Sequence, residues 1–303
     1  MTTPHPERQA GTRAHGFSYS RDFFEHLVDQ AITHATHLGA SDAAAEASEG
    51  SGLSVSVRRG ELENVEQNRD KSLSVTVYLG QRRGSASTSD FSELAVRQTV
   101  QAAYDIARFT AQDPYAALPD AADVAAPGEQ RHDLGLFHPW ALTSEAATQL
   151  ALRAESAAFD TDPRIDNSEG ASVSAQQSHF FSAHTRGFRG GYASSRHSIG
   201  VSPIAGRGDA MQRDAWYASM RSADDLPEPE AVGRYAAERA LSRLNSRKLA
   251  TTECPVLFES PLAAGLLGSL VQAISGGSLY RKSSFLLGSL GKRVLPAHID
   301  VLE

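Results

Sequence analysis

Segments in which apolar and polar residues alternate constrain the fold of this chain more than any other feature. In the first part of the chain they cover residues 53–57, 62–65 and 73–79, and Arg59-Gly60 and Arg69-Asp70-Lys71 are the expected turns between them. A period of two is typical of strands that bury one face, as antiparallel strands commonly do. We therefore expect an antiparallel meander here.

Segments with apolar residues at helical spacing flank the meander. The first covers residues 19–38, and the second follows Asp90 or Ser92, either of which can cap a helix N-terminus. This order of helix, meander and helix predicts a self-contained α+β domain over residues 17–125, after a disordered terminus over residues 1–16.

The second half of the chain repeats both patterns. Helical spacing is found at residues 144–159 and 229–244, and strand-like segments cover residues 165–174, 177–185, 191–203 and 210–221. A stretch rich in Ala, Asp and Pro before them has the composition of a linker. We therefore predict that residues 126–303 form a central α+β region that leads into a truncated C-terminal domain. The predicted fold class is α+β, in two layers of antiparallel strands with packed helices.

The most apolar stretch of the chain lies within residues 253–285. Residues 255–258 form a short apolar run that predicts a buried strand, with Cys254 beside it as a buried, inert thiol. Ser260 is the expected N-cap, and Pro261 the first residue, of a helix that follows. Apolar residues cover most of the circumference of this helix, so we expect little of it to contact water.

Composition and charge exclude several classes of function. The chain has 303 residues, a net charge of −7 and one cysteine. Binding of nucleic acid through phosphate contacts requires clustered Lys and Arg, so we expect no direct nucleic-acid partner. No segment reaches the roughly 18 uninterrupted apolar residues of a membrane span, and the first sixteen residues lack the apolar core of a secretion signal. We therefore expect a cytoplasmic protein with no membrane partner.

The histidines do not predict a complete metal site. His34 and His37 lie one helical turn apart, but no third ligand is near them in sequence, and metal sites use three or four. An exposed polar helix face is the favoured interpretation of this pair. His179 and His184 are an odd number of residues apart, which places them on opposite faces of a regular strand.

Short blocks of sequence spread over most of the chain carry a family resemblance. They comprise residues 52–58, 75–78, 84–88, 106–115, 211–217 and 254–258, and the run Gly-Gly-Ser-Leu-Tyr-Arg-Lys-Ser-Ser-Phe at residues 276–285. In these blocks the chain resembles the PmbA/TldD metalloprotease family, and specifically its PmbA (TldE) branch. The resemblance extends from Phe17 to Glu303 and implies that the C-terminal, mostly β portion of the family fold is missing here.

The family implies a cytoplasmic metallopeptidase built from TldD-type and PmbA-type subunits, which acts on peptides such as antitoxins and ribosomally made precursors. Its TldD-type subunit carries an H-E-x-x-x-H metal motif on a helix equivalent to the one that follows residue 259. In this chain the motif positions hold Glu259, then Ser260 in place of the general base, and Ala264 at the end. An alanine methyl group can neither bind zinc nor accept a proton from bound water. The resemblance thus implies no catalytic or metal-binding residue in this chain, and zinc in the TldD-type partner.

Three interpretations of the function stay open at this point. As a partner subunit without its own metal site, the chain would form a heterodimer or higher assembly with a TldD-type subunit. It would then contact the partner or a peptide substrate through the polar cluster Ser278, Tyr280, Arg281, Lys282 and Ser283, although a packing loop accounts for this cluster equally well. As a peptidase itself, it would need a metal site or a Ser-His-Asp triad that no motif shows. As a regulatory binding protein of the gyrase-modulator type, it would have no peptidase role.

Overall fold

The computed structural model describes residues 16–125 and 134–302. The chain divides into two compact units, Met1–Ser246 and Arg247–Glu303.

The first unit contains the sheet and the longer helices. Its helices are α1 (Arg21–His37), α2 (Glu93–Phe109), α3 (Ser144–Phe159) and α4 (Pro229–Ser242). Its strands are β1 (Asp42–Arg58), β2 (Glu61–Leu79), β3 (Arg82–Thr88), β4 (Ile165–His184), β5 (Arg189–Gly190), β6 (Ala193–Ala205), β7 (Gln212–Arg213) and β8 (Trp216–Met220).

A single antiparallel sheet organises this unit. Its order is β3-β2-β1-β4-β6-β7, with β5 paired to β4 and β8 paired to β6. β1 lies at its centre and pairs with β2 from Asp42 to Arg58 and with β4 from Ala44 to Val57. The predicted α+β class with antiparallel strands is confirmed. The strands predicted for the two halves of the chain share one sheet through the pairing of β1 with β4.

Two interruptions predicted within the strands are wrong. Residues 69–71, predicted as a turn, lie inside β2 and pair with residues 49–51 of β1. The break predicted between residues 174 and 177 lies inside β4, which is continuous. Both stretches are polar, but ladder hydrogen bonds join backbone groups and do not require apolar side chains. The turn at Arg59-Gly60 is confirmed, with φ angles of 54° and 79° that suit a tight hairpin.

The helices of the first unit cover one face of the sheet. Odd-numbered residues of β1 face them, because side chains alternate along a strand. Ala43 and Ala47 lie in a core with α1 and α2, whereas Val55 and Val57 lie in a second core with α3 and α4. The helices therefore form two pairs, each over a different part of the long central strands.

Three of these helices begin where the sequence offers a capping side chain. Ser20, Ser92 and Thr143 cap α1, α2 and α3, and each accepts a hydrogen bond from the backbone N–H three residues further along. The prediction of residues 144–159 matches α3 at both ends. α4 begins at Pro229. Proline lacks a backbone N–H, but the N–H groups of a first helical turn have no partner within the helix, so nothing is lost.

The second unit contains the helices α5 (Ser260–Ile274) and α6 (Gly276–Tyr280). The predicted strand at residues 255–258 is wrong: this segment has no regular structure, and Leu257 is 98% exposed. Cys254, predicted to be buried, is exposed. The N-cap of α5 is Glu259, one residue before the predicted Ser260.

The prediction that α5 is buried is also wrong. Ala273 is the buried residue of this helix, and large side chains such as Leu266 and Val271 are half exposed. The sequence shows a wide apolar surface, but the described part of this unit contains no strand on which that surface could pack. No described helix in either unit is both long and apolar enough to cross a membrane.

Candidate functional site

The cluster predicted to contact a peptide or partner lies at α6 and the turn after it. Ser278 is buried and accepts a hydrogen bond from the Ser275 hydroxyl at 2.9 Å. The Ser283 hydroxyl donates to the Ser278 carbonyl at 3.2 Å. These two serines therefore stabilise the local turn. The side chains of Tyr280, Arg281 and Lys282 are exposed, so one aromatic and two cationic groups of the predicted cluster face outward.

The positions that the family resemblance assigns to the metal motif lie at the start of α5. Glu259, Ser260 and Ala264 are all exposed and offer one carboxylate, one hydroxyl and one methyl group. This donor set does not fit a zinc ion, which takes three or four Cys, His or carboxylate ligands in proteins. Across residues 16–125 and 134–302, no group of three or more His, Cys, Asp or Glu side chains could hold a metal.

The four histidines considered in the sequence lie on two elements, one pair on α1 and the other on β4. His34 and His37 are in the last turn of α1. Burial lowers the pKa of His34, and the charges of Arg97 and His37 lower it further. His179 is buried on the helix-covered face of β4, whereas His184 lies on the opposite face, as their odd separation predicts.

A groove that the sequence did not reveal lies between the two helix pairs, on the face of the sheet that they cover. We call it the waist groove. Its volume is about 460 Å³. Strand register places its floor in two rows that run across the sheet. The first row is Gln67, Leu53, Ala175 and His197, and the second is Arg69, Ser51 and Gln177.

A buried carboxylate lies two residues before Ser51 on the same face of β1, where the chain enters α1. There the Glu49 carboxylate is 2% exposed and accepts hydrogen bonds from the backbone N–H groups of Ser18 and Tyr19 at 2.9 to 3.1 Å. The Nε2 atom of His179 lies 3.4 Å from the same carboxylate. Burial lowers the pKa of His179, although Glu49 acts in the opposite direction. Glu49 is thus a buried carboxylate whose partners hold the chain at the entry to α1.

The inner end of the waist groove is formed by His197 and Trp140. The Nε2–H of His197 donates to the carbonyl of His138 at 2.8 Å, and the Trp140 ring stands edge-on at 5.3 Å between ring centroids. Because a carbonyl can only accept, this bond fixes the proton on Nε2 and leaves Nδ1 as an acceptor in the neutral ring. Nδ1 is buried and has no hydrogen-bond partner among the described residues.

The side chains of the waist groove suit binding rather than bond cleavage. Two of its floor residues, Gln67 and Gln177, present carboxamide side chains, whereas the neighbouring lining residues Asn68 and Gln176 direct theirs to the opposite face of the sheet. Arg69 is the lining residue with a formal charge. The hydroxyl of Ser51 accepts a hydrogen bond from the Gln177 amide at 3.3 Å, and an amide cannot serve as a base for a serine nucleophile.

Sequence reasoning missed this groove for a specific reason. Its polar lining residues fall within or beside the stretches that were interpreted as strand breaks, namely residues 69–71 and 174–177. The signal was one glutamine in each of two polar stretches, Gln67 and Gln177. Only the register of β1 with β2 and β4 brings these two side chains to the same face of the sheet.

Family models match three parts of the chain. PmbA/TldA metallopeptidase domain 1 matches residues 43–107, the central domain matches residues 137–244, and the C-terminal domain matches residues 251–303. Together these matches extend over both units of the structure.

Curated relatives show the same likeness over most of the chain. The chain is 46% identical over 280 residues to Metalloprotease PmbA of Escherichia coli O157:H7, which covers 91% of this chain and 62% of that protein. It is 44% identical over 276 residues to a Metalloprotease PmbA homolog of Haemophilus influenzae, with 91% and 60% coverage. The chain thus spans about three fifths of the length of these relatives.

Solved structures share the fold. A putative modulator of DNA gyrase from Bacteroides thetaiotaomicron matches with a TM-score of 0.81 and 24% identity, over 90% of this chain and 62% of that one. TldE from Thermococcus kodakarensis matches with a TM-score of 0.67 and 13% identity, over 87% and 58%. The solved structures thus share the fold, and the family models, with the curated relatives, show that the chain belongs to the PmbA/TldD metallopeptidase family.

Proposed function

We propose that this chain acts in a PmbA/TldD-type peptidase assembly as the subunit without a metal site of its own. A TldD-type partner supplies zinc and the catalytic groups, the substrates are peptides, and the assembly is a heterodimer or larger complex in the cytoplasm. The observation that carries the proposal is the donor set at Glu259, Ser260 and Ala264, which cannot complete a zinc site.

Zinc hydrolysis needs more than one ligand. The metal must be held by several neutral imidazole or anionic ligands, and a base must take the proton of the bound water. At the start of α5, Glu259 is the single group of this kind among the motif positions, and Ser260 takes the place of the base. A family member with these substitutions contributes to the reaction by binding, not by bond cleavage.

The second unit offers surface for assembly. The exposed side chains of Tyr280, Arg281 and Lys282 lie beyond α5, and α5 itself carries half-exposed leucines. Aromatic and arginine side chains are enriched in protein interfaces, and arginine also binds carboxylates with two parallel hydrogen bonds. These residues are the proposed contacts with a TldD-type partner or a peptide.

The test compares the chain alone with the chain mixed with a TldD-type subunit. We expect no stoichiometric zinc and no peptidase activity in the lone chain, and chelator-sensitive cleavage of an unfolded peptide in the mixture. A partner in which the H-E-x-x-x-H base is replaced by Gln serves as the control and should leave the mixture inactive. Zinc together with chelator-sensitive cleavage in the lone chain would overturn the proposal.

A regulatory role of the gyrase-modulator type is the alternative. Proteins described as putative modulators of DNA gyrase share the fold at 24% and 18% identity. The net charge of −7 does not favour phosphate contacts. A tight, salt-sensitive complex of the lone chain with duplex DNA would favour the alternative, whereas we expect none.

A further inference from the structure

The chemistry of the waist groove indicates the class of ligand that it accepts. A carboxamide side chain donates and accepts at the same time, which matches the alternating N–H and C=O groups of a peptide backbone. Gln67 on β2 and Gln177 on β4 present carboxamides to the groove, and Arg69 is its formally charged lining residue. A single guanidinium is a poor site for a phosphate group, which attracts several cations.

The dimensions of the groove also fit a short extended peptide. Its first row of floor residues crosses β2, β1, β4 and β6. Three spacings between neighbouring strands amount to about 14 Å, the length of about four extended residues. The volume of about 460 Å³ lies within the range of sites that enclose small ligands.

The two ends of the groove differ in chemistry. At the inner end, Trp140 and Leu53 offer apolar surface. At the outer end, the exposed Arg69 donates to the Ser18 hydroxyl at 3.0 Å and retains further N–H donors for a carboxylate.

The outer end opens at an edge of the sheet. β3 pairs with residues 73–79 of β2 only, so the part of β2 that carries Gln67 and Arg69 has a neighbour on one side, β1, among the described strands. A peptide can therefore approach the groove from this side without crossing a helix.

We propose that the waist groove binds an extended, largely uncharged peptide segment of about four residues. The segment directs an aromatic or large apolar side chain toward Trp140 and a carboxylate toward Arg69. The inference rests on the proposed function only in taking a peptide as the ligand class. It assigns a binding site to the first unit, whereas α5 belongs to the second.

The experiment uses the full 303-residue chain alone. The probe is an acetylated tetrapeptide with an aromatic first residue, two glycines and a free C-terminal carboxylate, and a second probe is its C-terminal amide. Calorimetric titration of the unmodified chain should show saturable binding below about 1 mM. Amidation should weaken it about tenfold, because a hydrogen bond to a charged group is lost.

Paired variants test the location of the site. Arg69→Gln should weaken the acid peptide about as much as amidation does and leave the amide peptide unaffected. Arg196→Gln is the matched control, because Arg196 is an exposed arginine of β6 on the opposite face of the sheet. Gln177→Ala should weaken the binding of both peptides several-fold.

Tryptophan fluorescence tests the inner end of the groove. In a Trp216→Phe variant, Trp140 is the one remaining tryptophan, and its fluorescence should change on titration with the peptide.

Three results would overturn the inference: no heat of binding up to several millimolar, equal loss in the Arg69 and Arg196 variants, or full competition by acetate, which would indicate a simple anion site. Failure here is distinguishable from failure of the proposed function. If the lone chain does not bind the peptide, the mixed subunits can still show zinc-dependent activity. If the mixture is inactive, the peptide binding measured with the lone chain still stands.

Discussion

Two buried glutamates show how single residues hold this fold together. Glu49 and Glu155 are 2% and 1% exposed. Glu155 of α3 accepts hydrogen bonds from the backbone N–H groups of Arg59 and Gly60 at 3.0 and 2.8 Å, which fixes the turn between β1 and β2. Buried carboxylates are costly unless they are fully hydrogen-bonded. In both cases backbone N–H donors provide that compensation, so each carboxylate ties a helix region to a strand.

His179 makes the stability of the first unit depend on pH. Burial lowers the pKa of His179 in the folded chain below its usual value of about 6.5. The unfolded chain therefore binds the proton more readily, and the stability contributed by neutral His179 is present above that value and lost as the pH falls below it. We expect the free energy of unfolding to decrease from pH 7 to about pH 5, and to decrease less in His179→Gln.

Urea unfolding at each pH measures this effect, and an NMR titration of the His179 ring reports its pKa directly. His34 and His184 also have lowered pKa values, chiefly because of burial, and add to the slope with the same sign. A His179→Gln chain with an unchanged pH dependence would show that His179 contributes nothing to it.

At the level of elements, α3 and α4 pack closely because their facing residues are small. The buried residues of α3 include Ala151, Ala154 and Ala158, and those of α4 include Gly233 and Ala237. Small side chains allow two helix backbones to approach. The close contact therefore requires small side chains at the facing positions, and at Gly233 it requires no side chain at all.

The substitution Gly233→Ala tests this contact. A Cβ atom at this position would lie 2.0 Å from the backbone carbonyl oxygen of Ala154, which cannot move without the helix. We expect a loss of about 1 to 3 kcal/mol in the free energy of unfolding, measured by urea denaturation. The control is Gly265→Ala in α5, where nothing lies within 4 Å and alanine favours the helix. Equal stability of the Gly233 variant and the parent chain would contradict the close contact.

At the level of the whole molecule, one sheet carries two helix pairs and the waist groove between them. β1, β2 and β4 have 17, 19 and 20 residues and run under both pairs. The middle of these strands lies in the gap between the two cores, where polar residues replace the apolar ones. These strands are longer than one helix pair can cover, and the groove lies over the part between the two pairs. The domain division predicted at residue 125 is tested by no observation and stays a prediction.

Limited proteolysis tests the division into two units. Arg247 and Lys248 are exposed and lie in a segment without regular structure. Arg69 and Lys71 lie in β2, where the backbone is hydrogen-bonded to β1. We expect trypsin to cut at residue 247 or 248 before it cuts at residue 69 or 71, because cleavage requires local opening of the backbone. Mass spectrometry of early time points identifies the order, and an earlier cut inside β2 would contradict this division.

Part of the fold and of the candidate site could be predicted from sequence because the signals are local. The caps at Ser20, Ser92 and Thr143, the helical spacing of α3 and the hairpin turn at Arg59-Gly60 each depend on neighbouring residues. The assignment of the metal motif to residues 259–264 is also local, since it spans six residues of the chain, and it stays a prediction. The exposure of α5 was not readable, because an apolar pattern shows that a surface is suited to burial but not what covers it.

What the sequence alone determined is therefore the type and order of most elements, the α+β class and the family. Only the tertiary structure decided that β2 and β4 continue through their polar middles, because that depends on backbone pairing with β1. The tertiary structure also decided where the waist groove lies and which residues line it. Gln67 and Gln177 come within reach of one ligand through strand register, a relation between residues more than a hundred positions apart that no local pattern contains.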